Sequence, residues 1–126
     1  MARPAKELTE RELEVLQVFW KQGEITAQAA RDALAATGID RAYTTIATLV
    51  RILADKGYLE QTASERPFTY RAARTHEEVS RNLLGDLVER VFGGSREQLL
   101  VRLLDQKKLT AKERARLEQI LRENQK

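Results

Sequence analysis

Thr44, Thr48 and Arg51 share one side of a short segment, where they offer hydrogen bonds and little bulk. At about 100° per residue they lie opposite Ile46, Leu49, Val50 and Leu53, whose i, i+3, i+4, i+7 spacing makes the apolar stripe of a helix. Ala47 stands at the edge of the polar side. The chemistry such a surface can do is readout of base edges. Arginine donates two hydrogen bonds to guanine, and threonine offers a hydroxyl and a methyl group. Nothing bulky on that side blocks approach to a major groove. Tyr43 and Thr45 flank it near the helix start, where backbone N–H groups favour a phosphate; for Thr45 a capping or packing role fits as well. Arg41, Arg66 and Arg71 are phosphate candidates, with Arg66 at the tip of a turn from which a minor groove is within reach. Thr26 and Gln28, at the start of an earlier helix, are candidates for further backbone contacts, though capping alone accounts for Thr26. Arg3 and Lys6 read as an N-terminal arm.

The elements that must position these residues are clearly punctuated. Thr9-Glu10-Arg11-Glu12 is a capping box with Leu8 and Leu13 placed as a hydrophobic staple. It predicts a first helix to about Gln22 that buries Leu13, Leu16, Phe19 and Trp20 and stops at Gly23. Glu24-Ile25 reads as a short strand. Thr26 caps a second helix with Ala29, Ala30, Ala33 and Leu34 inward and Gly38 at its end. The polar-faced third helix spans about 42–56 and stops at Gly57. Strands at about 58–62 and 68–72 flank a charged turn. This order is that of a winged helix-turn-helix, mainly α with a small β-wing, over residues 1–74.

Residues 75–126 read as a separate helical region for dimerisation. Capping boxes at Thr75–Glu78, Ser95–Gln98 and Thr110–Glu113 open three helices, and Gly93-Gly94 separates the first from the second. Val79, Leu83, Leu87, Val88, Val91 and Phe92 lie along one side of the first, with Leu84 beside them. Leu99, Leu100, Val101, Leu103 and Leu104 are interrupted by Arg102 alone, so they cover more than one face. Leu117, Ile120 and Leu121 follow in the last helix. Burying one such side chain is worth about 1.5–3 kcal/mol. Leu84, Leu87, Val91, Leu99, Leu100, Leu103, Leu104, Leu117, Ile120 and Leu121 are therefore the expected contacts of a homodimer, most simply with two-fold symmetry. The alternative is that these helices fold back on the first helix of a monomer.

Composition sets the bounds. The chain has 126 residues, no cysteine and one histidine, and its 22 Lys+Arg exceed its 19 Asp+Glu by three. That surplus falls wholly within residues 41–74, where six cations face Asp55, Glu60 and Glu65. Positive charge thus gathers where the groove-reading helix and turn are expected. No apolar run approaches the roughly 18 residues of a membrane span, and no secretory signal is visible, so the expected place is the cytoplasm without membrane insertion. A lone His76 in the first turn of a helix, with no cysteine, cannot form the usual zinc set. Gly93-Gly94-Ser95 lacks the strand, spacing and lysine of a phosphate loop. Neither enzyme chemistry nor a metal or cofactor is expected. A winged helix whose groove face contacts protein rather than DNA remains the other reading of the same residues.

The chain resembles the penicillinase-repressor family of bacterial winged-helix regulators, from about Leu8 to Leu121. The resemblance is carried by Leu8-Thr9-Glu10-Arg11-Glu12-Leu13-Glu14-Val15-Leu16 with Trp20, by Ala42-Tyr43-Thr44-Thr45-Ile46-Ala47-Thr48-Leu49, and by Lys56-Gly57. It continues through Tyr70, Thr75–Glu78, Phe92-Gly93-Gly94-Ser95 and Leu109-Thr110. It implies a homodimeric transcriptional repressor on a dyad-symmetric double-stranded DNA operator. It also implies derepression by proteolysis within the helix at 96–106, set off by a membrane sensor system. Alignment on Leu109-Thr110 places the scissile bond at Arg102–Leu103, where the methicillin and penicillinase repressors carry Asn-Phe. Copper-responsive relatives use a cysteine-rich tail, for which this sequence has no ligands.

Overall fold

Two reciprocal hydrogen bonds start the first helix: Thr9 Oγ1 accepts from the Glu12 amide at 3.1 Å, and Glu12 Oε1 accepts from the Thr9 amide at 3.1 Å. The computed structural model describes residues 7–105 and 110–123, apart from the Leu121 side chain, so Arg3, Lys6 and Leu109 lie outside the described residues. Helix α1 (Glu10–Gln22) ends where Gly23 takes φ 87°, a conformation that costs glycine nothing. Its buried side is wider than the sequence reading had it. Val15, Leu16, Val18 and Phe19 are buried, whereas Leu13 and Trp20 are half-buried, because α1 packs on two later helices at once.

Strand β1 (Ile25–Thr26) leads into α2 (Ala27–Ala36), with Thr26 Oγ1 accepting from the Ala29 amide at 3.1 Å. Ala27, Ala30 and Leu34 form the buried side of α2; Ala29 and Ala33 are half-buried. Helix α3 (Tyr43–Asp55) buries Ile46, Val50 and Leu53 and leaves Leu49 half-buried. Strands β2 (Leu59–Gln61) and β3 (Thr69–Ala72) complete an antiparallel sheet in the order β1-β3-β2. Tyr70 sits at its middle, paired with Ile25 on one side and Gln61 on the other. Phe19, Leu16, Ile46, Leu53 and Leu59 meet in one apolar core. This is a winged helix-turn-helix, with α2 and α3 as the helix pair and β2–β3 as the wing.

The described chain divides into compact units of residues 1–80 and 81–126. Helix α4 (His76–Phe92) begins in the first. There Trp20 Nε1 donates to the Arg74 carbonyl at 2.9 Å, and its ring stands edge-on to His76 with centroids 4.9 Å apart. His76 is the exposed first residue of the helix, in the position the sequence gives it. In the second unit Gly93 and Gly94 turn the chain with φ 59° and 87°, and the Gly94 amide donates to the Val88 carbonyl at 2.8 Å. Helix α5 (Arg96–Leu104) is capped by Ser95, and α6 (Ala111–Glu123) opens on the Thr110–Glu113 box with both hydrogen bonds formed.

Candidate nucleic-acid interface

Helix α3 is held from behind, which leaves its front clear. Ile46, Val50 and Leu53 anchor it in the core, so Thr44, Thr48 and Arg51 face solvent and Tyr43 keeps 48% of its surface exposed. Asp55, one turn beyond Arg51, belongs to the same outward arc and was missed by the sequence reading. The i, i+4 spacing was the available signal. Thr45 is half-buried, and its amide donates to the Ala42 carbonyl at 3.1 Å, which is an ordinary helix-start role.

Beside this arc runs an open groove of about 890 Å³ with three walls. Helix α3 contributes Tyr43, Ala47, Val50, Arg51, Ala54 and Asp55; the start of α2 contributes Thr26, Ala27 and Gln28. The wing closes it with Gln61, Arg66, Pro67, Phe68 and Tyr70. Five of the candidate residues therefore meet in one place: Thr26, Gln28, Tyr43, Arg51 and Arg66. Thr26 is still occupied as the α2 cap, and the Gln28 amide nitrogen donates to Asp32 at 3.0 Å. Gln61, Phe68 and Tyr70 are groove residues that sequence reasoning missed. Period-two alternation puts Phe68 and Tyr70 on one sheet face, and the Gln61–Tyr70 pairing adds the third, but that register is legible only in the folded sheet.

The cations of residues 41–74 divide into two kinds. Arg41 is bound to Glu14 at 3.0 Å and Lys56 to Glu12 at 2.8 Å. Arg71 donates to Glu60, and that hydrogen bond, then the Glu60 charge itself, holds its guanidinium above the ordinary arginine value. Arg74 pairs with Glu78 at 3.1 Å. Among the described residues, Arg51 and Arg66 have no carboxylate partner. Both line the groove. Arg66 lays its guanidinium over the Phe68 ring, 5.5 Å from the centroid. The contact is a cation–π one and leaves N–H donors for a further partner. Arg41 and Arg71, expected on phosphates, lie outside the groove lining and are engaged with carboxylates.

The second unit presents a different surface. Leu83, Leu84, Leu87, Val91, Val101, Leu103 and Ile120 are exposed, while Val88 is its one buried apolar side chain among the described residues. Leu99, Leu100, Leu104 and Leu117 are half-buried, and the Leu121 side chain lies outside the described residues. Arg102 and Leu103 are both exposed on α5. Among the described residues no helix is long and apolar enough to cross a membrane, and no group of acidic, histidine or cysteine side chains is arranged to hold a metal ion.

A sequence model described as "Penicillinase repressor" matches residues 8–123, nearly the whole chain. The chain is also 31% identical over 121 residues to an uncharacterised 16.5 kDa protein in the ptsI 3′ region of Latilactobacillus sakei. That similarity spans 96% of this chain and 82% of the other.

Proposed function

Because this chain belongs to the penicillinase-repressor family, a family of transcriptional repressors, we propose that it is a homodimeric repressor of a dyad-symmetric DNA operator. The observation that carries the reading is the pair of uncommitted guanidinium groups, Arg51 on α3 and Arg66 on the wing, facing one groove. In this reading the front of α3 enters the major groove. Arg51 donates to a guanine edge while Thr44 and Thr48 contact neighbouring bases. Arg66 binds the backbone from the wing and reaches toward the minor groove. Tyr43, Thr26 and Gln28 are placed beside the strand that passes between them.

One such unit makes a small interface. The exposed leucines of α4 and α5, with Ile120 of α6, supply what a second copy would cover, and a two-fold dimer puts two α3 helices on successive half-sites. Derepression then follows from breaking the dimer. The exposed Arg102–Leu103 bond of α5 is the position for cleavage by a membrane sensor system, with the whole protein acting in the cytoplasm. Binding to genomic fragments at several salt concentrations tests the core of this reading. Each neutralised phosphate contributes about −0.9 to the slope of log K against log salt. A steep slope and a two-fold-symmetric footprint are expected. Salt-independent capture of no DNA, with binding to protein instead, would make the groove a protein-interaction surface.

A further inference from the structure

The groove between α3 and the wing has a floor that base and phosphate readout does not require. Val50 is buried at its base, Ala47 and Ala54 keep the α3 wall low, and the rings of Tyr43, Phe68 and Tyr70 stand around it. A sugar–phosphate strand is polar and gains little from an apolar bed. A flat apolar body gains both burial and ring contacts, which are favourable beyond the area they bury. The two cations that line this bed, Arg51 and Arg66, have no carboxylate partner among the described residues, and Arg66 sits over the Phe68 ring with N–H donors to offer. An anionic head joined to a planar body fits both features. Asp55, one turn along α3 from Arg51, sets the orientation, because its carboxylate repels an anion and confines the head to the arginines.

We propose that this groove is an effector site for a small aromatic carboxylate, held by Arg51 and Arg66 and stacked among Tyr43, Phe68 and Tyr70. The groove, at about 890 Å³, is within the range of small-molecule sites, roughly 300–1,000 Å³. Occupancy uses the same two guanidinium groups that the operator needs, so the ligand and DNA compete. That regulatory consequence rests on the DNA-binding reading; binding of the ligand does not.

The test uses the full chain with 2-naphthoate as the anionic probe and 2-naphthamide as its neutral counterpart. Side-chain NMR shifts of Tyr43, Phe68 and Tyr70 are followed during titration, and operator binding of the probe-free protein is measured separately. Expected are saturable shifts with naphthoate, binding about tenfold weaker for naphthamide and for Arg66→Gln, and tighter binding for Asp55→Asn. Naphthoate should also weaken operator binding in proportion to its occupancy. No saturation up to about 10 mM, equal binding of the two probes, or shifts confined to residues 81–126 would each overturn the proposal. If the probe-free protein fails to bind DNA while the groove still saturates, the repressor reading fails and the ligand site stands. The reverse result removes the ligand site alone.

Discussion

Arg51 and Arg66 separate from the other described cations of residues 41–74 by what they lack, and their tests differ accordingly. Arg51→Ala should cost about 1–3 kcal/mol in specific binding and relax discrimination at one operator position. Binding to a panel of point-mutated operators measures this; unchanged discrimination would remove Arg51 from base readout. Arg66→Ala should weaken all sequences alike and lower the salt slope by about 0.9. Arg71→Ala is the contrasting case. Its guanidinium is held by Glu60, so it should leave the salt slope nearly unaltered. A slope that falls equally for both variants would mean the Glu60 pair opens on DNA. Apart from Arg74 and Glu78, four residues apart, this partition was not legible in the sequence. Arg41 and Glu14 are 27 residues apart and Lys56 and Glu12 are 44 apart, and no local pattern joins them.

At the scale of elements, the caps and the 3.6-residue period carried most of the fold. Each begins and ends in local chemistry, as at Thr9, Thr26, Ser95 and the glycines with positive φ. What local chemistry could not give was the use of a residue in two elements. Glu12 reads as the acid of a capping box, yet its side chain is only 6% exposed and also accepts from Lys56 at 2.8 Å. Lys56 also donates to the Glu7 carbonyl at 2.7 Å, which ties the chain before α1 to the end of α3. Removing one member of a buried pair strands the other, at a cost of about 3–5 kcal/mol. Lys56 keeps a fifth of its side-chain surface, so Lys56→Met should lose about 3 kcal/mol in urea unfolding. Glu12→Leu in the same chain should recover part of the loss. A loss in the double variant equal to the sum of the single ones would show the pair to be uncoupled.

For the whole molecule the question is what covers α4 to α6. Among the described residues of 81–126, seven large apolar side chains are exposed, and the sequence already displayed them as leucine runs with too few polar interruptions. Which copy or element covers them is not a property of one chain's periodicity. Leu103, 42% exposed on α5, is a direct probe. Leu103→Asp should convert the proposed dimer to monomers in sedimentation and weaken binding to the proposed operator by more than any single groove substitution, because both half-sites are lost together. A tight dimer after this change would move the interface elsewhere on these helices.

The clamp on Glu12 has one more consequence, seen in time rather than in energy. Helix ends ordinarily fray, and their first amides exchange with solvent through small local openings. The amides of Thr9 and Glu12 are held by each other's side chains, and Lys56 fastens that box to a helix end 44 residues away. Hydrogen exchange at these two amides should therefore follow the opening of the entire first unit. The amides of Gln98 and Glu113, whose cap bonds are to residues three positions away, should exchange far sooner. The start of α1 would then be among the last places of the winged helix to let water in.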